Sequence, residues 1–142
     1  MHMIDISDKE ATKRRAVAKG KLHLQLDTIN KINKNEIKKG DPIDIARIAA
    51  IYAAKETSRL IPLCHQIPLE LVECEFDINE DSIDVKVTVS AFAKTGVEME
   101  ALAGVSLALL TLWDMVKYLE KDAAGQYPLT RITDVEVLKK EK

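Results

Sequence analysis

Between Val72 and Ala91 the chain alternates with a period of two on either side of a short turn. Val72, Cys74, Phe76 and Ile78 are separated by Glu73, Glu75 and Asp77, and Asn79 to Ser82 carries turn residues. Ile83, Val85, Val87, Val89 and Ala91 are then separated by Asp84, Lys86, Thr88 and Ser90. Successive side chains on a strand point to opposite faces, so the pattern predicts an antiparallel hairpin with one apolar and one polar face. The apolar face needs a cover, and a long apolar stretch follows at once. Lys94 to Lys117, KTGVEMEALAGVSLALLTLWDMVK, reads as one helix. Met99, Leu102, Ala103, Ser106, Leu109, Leu110, Trp113 and Val116 recur at three- and four-residue steps, while Val105, Leu107, Ala108 and Leu112 fill the other side. A helix that is apolar on more than one face is a core helix, a subunit contact, or both.

The remaining elements fit around this pair. The first twenty residues, MHMIDISDKEATKRRAVAKG, are polar and mixed in charge, with Met3, Ile4 and Ile6 as the apolar cluster, and are expected to lie on another surface. Lys21 to Leu26 sets Leu22, Leu24 and Leu26 against Lys21, His23 and Gln25, which predicts the first strand. Asp27 is a fair N-cap for a short helix carrying Ile29 and Ile32. Asp41-Pro42 is a stronger start. Aspartate accepts free first-turn amides, and proline at the first helical position gives up a bond that would not form anyway. The helix is expected to reach Glu56 or Thr57 with Ile45, Ile48, Ala49, Tyr52 and Ala53 as its buried stripe. Pro62 and Pro68 then bracket Cys64 and His65 in a rigid loop. A last strand is expected from Arg131 to Leu138, with Ile132, Val135 and Val137 as its apolar positions. The order β-α-β-β-α-β, plus one small extra helix, is that of a ferredoxin-like α+β sandwich, an antiparallel sheet with helices on one face.

At 142 residues the chain suits a single domain spanning 1–142. Its formal charge of -2 does not advertise a polyanion, so no nucleic acid partner is expected. Two cysteines without CxxC spacing, and no secretory leader pattern, point to reduced thiols in the cytoplasm and to no structural metal. The longest apolar run, Leu107 to Trp113, is interrupted by Thr111 and falls short of a membrane span.

Several side chains carry candidate chemistry. Asp114 and Lys117 share a helix face, which serves either an ordinary ion pair or an acid–base pair if the lysine is partly desolvated. Cys64-His65 could pair a nucleophile with a base, although neighbours rarely point at each other and no orienting third group is visible; Cys74 reads as core. Glu98 and Glu100 diverge on a helix, which argues against a shared-proton dyad and leaves complementing the helix dipole as their plain role. Lys38-Lys39-Gly40-Asp41 sets cations beside a helix N-terminus, a possible anion site. Phosphate-loop and dinucleotide-binding glycine patterns are absent. An RNA-recognition sheet stacks bases on aromatics, and Val85, Val87 and Val89 offer none.

Five ordered blocks combine these residues. They are KGD at Lys39 to Asp41, ARIA with AAK at Ala46 to Lys55, LIPLCH at Leu60 to His65, KTGVEMEAL at Lys94 to Leu102, and LTLWDMVK at Leu110 to Lys117. Together, and with HMIDIS at His2 to Ser7, the chain closely resembles the molybdenum cofactor biosynthesis protein C family, the cyclic pyranopterin monophosphate synthases. The resemblance implies a ferredoxin-like subunit, dimers assembled into a hexamer as a trimer of dimers, and active sites at subunit boundaries. It implies conversion of 3′,8-cyclo-7,8-dihydroguanosine 5′-triphosphate into cyclic pyranopterin monophosphate with loss of pyrophosphate, a lyase reaction that feeds molybdenum or tungsten cofactor synthesis. No cofactor of its own is expected, although Mg2+ can accompany the triphosphate or pyrophosphate.

By the same resemblance Asp114, Lys117 and Lys39 are the catalytic residues. Lys55, Cys64, His65, Glu98, Met99, Glu100, Arg14, His2 and Lys140 are implied to bind substrate. Those residue types suit the reaction, because a triphosphate needs cations and a pyrophosphate leaving group needs stabilising while protons move. The chain departs from the family pattern at Gln66-Ile67, where proline usually follows LCH, at Trp113 for the usual tyrosine, and at Ala50 for the usual glycine. It ends at VLKKEK where the family typically continues through a GGKSG-like tail. The rival reading is a non-catalytic ferredoxin-like subunit that binds a ligand or a partner.

Overall fold

The computed structural model covers residues 1–142 and contains seven elements: β1 (Thr12–His23), α1 (Leu26–Asn33), α2 (Pro42–Leu60), β2 (Leu71–Ile78), β3 (Ser82–Ala93), α3 (Glu98–Glu120) and β4 (Arg131–Glu141). The four strands form one sheet in the order β2-β3-β1-β4, with every pairing antiparallel. The long helices α2 and α3 pack on each other, and α3 lies against β1 and β3. This is the ferredoxin-like α+β arrangement expected from the element order.

The β2–β3 hairpin has the expected register, pairing Val72 with Val89 and Ile78 with Ile83. Its turn is held by Asn79, whose backbone amide donates to the Ser82 carbonyl at 2.8 Å and whose side chain donates to Asp84 at 2.9 Å. Ile83, Val85, Val87 and Val89 point inward and are fully buried beneath α3. The opposite face of the sheet carries cross-strand ion pairs, Lys21 with Asp84, Lys86 with Glu75 and Lys19 with Glu136.

The first strand corrects the sequence reading. It runs from Thr12 to His23, and the segment expected on the surface supplies one of the two interior strands, paired with β3 and β4. Its inward positions Ala16, Ala18 and Gly20 are too small to produce a hydrophobic alternation, yet smallness is what the packing needs. A Cβ on Gly20 would lie 2.7 Å from Leu109 Cδ1 and 2.8 Å from Val105 Cγ1. Only residues 1–11 of the polar N-terminal stretch lie outside regular strand.

The helices are corrected in detail. Gln25, not Asp27, caps α1, and Asp27 sits in the first turn. In α2 the Asp41 carboxylate accepts from the Ile43 and Asp44 amides, as expected, so this helix terminus is already occupied by its own anion. The α2 stripe is the expected one only at Ala53. Ala46, Ala50, Ala53 and Ala54 face inward, whereas Ile45, Ile48 and Tyr52 are 45%, 49% and 65% exposed. The reason is the close approach of α3, where a Cβ on Gly104 would stand 3.3 Å from the Ala50 carbonyl and 3.0 Å from Val87 Cγ1. Only small residues fit on the facing side of α2, so the large ones are turned outward.

Helix α3 begins at Glu98 and ends at Glu120 rather than spanning Lys94 to Lys117. By length and composition it could cross a bilayer, contrary to the sequence estimate, but it packs on the sheet with half of its most apolar stretch buried. Its C-terminal end is tied down by Glu120, which is fully buried. That carboxylate accepts from the Gln25 amide at 3.2 Å, from the Thr130 hydroxyl at 2.7 Å and from the Thr28 hydroxyl. It thereby joins α1, α3 and the approach to β4.

Candidate active site

The two ends of α3 carry different chemistry. At the C-terminal end, helical spacing puts Asp114 and Lys117 on one side, and the loop between α1 and α2 brings Lys39 to them. Lys117 Nζ lies 3.0 Å from Asp114 Oδ1, and Lys39 Nζ lies 3.1 Å from Oδ2 and 3.0 Å from the Asp114 backbone carbonyl. The cluster is open to solvent. Hydrogen bonds from Lys117 and then Lys39 hold the Asp114 carboxyl below its usual pKa. The hydrogen bond and charge of Asp114 raise that of Lys117. Lys117 is therefore an ammonium throughout the neutral range.

At the N-terminal end, α3 opens onto a cavity of about 480 Å³ lined by Glu98, Met99 and Glu100, by Cys64 and His65 of the loop after α2, and by His2, Ile4, Ile6 and Lys9 of the N-terminal arm. The arm is held across the cavity by two hydrogen bonds. His65 Nε2 donates to the Ile4 carbonyl at 2.7 Å, and Lys94 Nζ donates to the Ser7 carbonyl at 3.1 Å. Because a carbonyl only accepts, His65 Nε2 is the donor here, and Nδ1 makes no hydrogen bond within the chain. Glu100 is buried, and desolvation pushes its pKa upward, with the nearby Glu98 charge adding to the effect. One Glu98 oxygen stands 3.5 Å from Lys140 Nζ, and the other is buried without a partner.

The cysteines are not nucleophiles by these surroundings. Burial and then the Glu100 charge push the Cys64 thiol up, away from the thiolate. Burial pushes Cys74 up to about 12, as suits a core thiol. No group of three or more His, Cys, Asp or Glu side chains is placed to hold a metal ion.

The model of the MoaC family matches residues 3–142. This chain belongs to the MoaC family. It is 54% identical over 140 residues to a probable cyclic pyranopterin monophosphate synthase of Sulfolobus acidocaldarius, covering 99% of this chain and 98% of that protein. A protein of the same name from Aeropyrum pernix is also 54% identical over 140 residues, covering 99% of this chain and 96% of its own. A Methanothermobacter thermautotrophicus relative, 52% identical over 142 residues, covers all of this chain and 89% of its own and is named a probable cyclic pyranopterin monophosphate synthase accessory protein.

The twelve side chains singled out by the MoaC-family resemblance fall into two groups. Lys39, Asp114 and Lys117 form the C-terminal cluster. His2, Cys64, His65, Glu98, Met99 and Glu100 line the N-terminal cavity, and Lys140 joins it through Glu98. Arg14 belongs to the same end, buried with Nε donating to the Ala93 carbonyl at 3.2 Å. Lys55, near the C-terminal end of α2, lines a shallow depression with Gln66 and Ile67 beside that cavity. Fourteen residues of helix separate Glu100 from Asp114, a rise of about 21 Å. One chain thus keeps its two groups well apart. At Lys38 to Asp41, the stretch read as a possible anion site, Lys39 bonds Asp114 and the Asp41 carboxylate caps α2.

Lys9 and Tyr118 escaped the sequence reading. Lys9 is a lone cation in a polar arm, and only the path of that arm over the cavity distinguishes it. Tyr118 follows Asp114 by four residues, so helical spacing alone could have placed it on the same side of α3.

Proposed function

We propose that this chain is a cyclic pyranopterin monophosphate synthase. It converts 3′,8-cyclo-7,8-dihydroguanosine 5′-triphosphate into cyclic pyranopterin monophosphate and pyrophosphate, a lyase step in molybdenum or tungsten cofactor synthesis. The observation that carries this reading is the Lys39–Asp114–Lys117 cluster, in a chain matched over nearly its whole length by relatives bearing that name. Closing a cyclic phosphate and expelling pyrophosphate place negative charge on oxygen atoms, and two ammonium groups fixed by one carboxylate are suited to meet it. Lys117 enters as a proton donor and Asp114 keeps it charged, while Lys39 neutralises phosphate. Lys55 and Arg14 supply further cations at the other end. There Glu100, with its raised pKa, and the free Nδ1 of His65 move protons during formation of the pterin. The protein needs no cofactor of its own; Mg2+, where present, enters bound to the phosphates. The soluble nucleotide is met in the cytoplasm.

A single small molecule does not span about 21 Å of helix with all its reacting atoms. A second copy completes each site, with α3 of one subunit running antiparallel to that of its partner. The carboxylates Glu98 and Glu100 then face the partner's Asp114 and the partner's Lys117. Such an assembly, built up to a trimer of dimers, also gives cover to exposed Ile45, Ile48, Tyr52 and Leu110.

The test is incubation of the purified protein with the cyclic dihydro-GTP intermediate, measuring cyclic pyranopterin monophosphate and pyrophosphate. Equal amounts of both products are expected, and Lys117→Ala should form neither while its size by light scattering is unchanged. Binding without turnover would favour a non-catalytic subunit.

A further inference from the structure

We propose that Tyr118 is a positioning residue for Lys39. It clamps the loop between α1 and α2 against the end of α3, so that the Lys39 ammonium stays on Asp114. The inference rests on the reading of Lys39 as part of the active site, and no motif of the sequence singles Tyr118 out.

Lysine has a long, flexible side chain, and Lys39 is exposed, so its position depends on where its backbone is held. Two contacts from α3 hold the preceding residue, Lys38. The Lys38 amide donates to the Tyr118 hydroxyl at 2.9 Å, and Lys38 Nζ lies over the Tyr118 ring, 5.3 Å from its centroid. Tyr118 stands one turn beyond Asp114, so the clamp and the acceptor of the Lys39 ammonium share one side of the helix. The loop itself is a tight turn, with the Gly40 amide donating to the Ile37 carbonyl at 3.1 Å and Gly40 at a φ of 115°. Ile37 is buried and anchors one side. The tyrosine hydroxyl supplies the contact next to Lys39, where a loose loop would let the ammonium swing into solvent.

The experiment compares Tyr118→Phe, which removes the acceptor and keeps the ring, with Tyr118→Leu, which removes both. Reductive methylation of the intact assembly, read lysine by lysine by mass spectrometry, should show Lys39 reacting about threefold faster or more in both variants, with Lys55 unchanged. kcat/KM for the cyclic nucleotide should fall roughly three- to tenfold in Tyr118→Phe, the effect of one lost hydrogen bond. An unchanged Lys39 rate in both variants overturns the proposal. So does an equal rise at Lys55, which would mean general loosening. If Lys39→Ala is fully active, the reading of Lys39 as an active-site residue fails. The labelling result then decides the clamp by itself.

Discussion

Lys39 and Lys117 hold opposite oxygens of one carboxylate, Lys117 at 3.0 Å from Asp114 Oδ1 and Lys39 at 3.1 Å from Oδ2. Replacing Asp114 with Asn removes the charge that keeps both ammonium groups in place. Turnover should fall on the order of a hundredfold, the scale of a mispositioned catalytic group, while thermal stability barely moves because the cluster is bathed in solvent. The pH dependence has a defined sign. The Asp114 pKa is lowered, so its contribution to stability is present above the ordinary aspartate value of 3.8 and is lost as pH falls through the still lower folded value. The Lys117 pKa is raised, so its contribution is present below 10.5 and is lost as pH rises through the higher folded value. Any stability difference between wild type and Asp114→Asn, read by thermal denaturation, should therefore be flat between these limits and change only outside them.

Glu100 behaves in the opposite sense. Burial raises its pKa, so the folded state holds the proton more tightly than the unfolded one. Well below the ordinary glutamate value of 4.5 both states are protonated and nothing changes; above it, stability is lost progressively until pH passes the folded value. Glu100→Gln should therefore be more stable than wild type at neutral pH, with a Tm gap that closes near pH 4, while losing activity. Calorimetry across that range checks it, and a gap that is constant with pH would contradict it.

Glu120 is a structural carboxylate. Truncation to alanine leaves the Gln25 amide and the Thr28 and Thr130 hydroxyls without their acceptor in a buried site. The expected cost is about 3 kcal/mol in urea denaturation, with kcat of the folded fraction retained.

Gly20 is required by the close packing of β1 under α3. Alanine there would press on Leu109 and Val105 at less than 3 Å. Both contacts are side-chain atoms in a fully buried layer, so the strain is relieved only by moving the core, at a cost of about 1–3 kcal/mol in the same assay.

What could be read in the sequence followed the size of side chains. The β2–β3 hairpin and the start of α2 at Asp41-Pro42 were legible because large alternating residues and a strong cap mark them. Strand β1 was not, because Ala16, Ala18 and Gly20 are inward precisely where nothing larger fits, and a strand of small inward residues has no hydrophobic period. The same rule misassigned α2, where Ile45, Ile48 and Tyr52 look like a core stripe and the alanines opposite them make the contact. The polar and charged residues at both ends of α3 were legible in the sequence. Their separation also follows from helical rise, but its meaning depends on α2 lying antiparallel to α3, which places Lys39 at one end and Lys55 and His65 at the other. That arrangement, and the arm that brings His2 and Lys9 over the cavity, comes from long-range packing that no local pattern encodes.

One site that draws on both ends of α3 from two subunits has a direct consequence for mixed assemblies. Lys117→Ala and Glu100→Gln are each expected to be inactive alone. Unfolded together and refolded at equal concentration, they form mixed dimers in which one site carries both substitutions and the other carries neither. With random pairing, half of the dimers are mixed, so about a quarter of the wild-type rate of cyclic pyranopterin monophosphate formation should return. A mixture that refolds to the same assembly and stays as inactive as its parts would contradict the account.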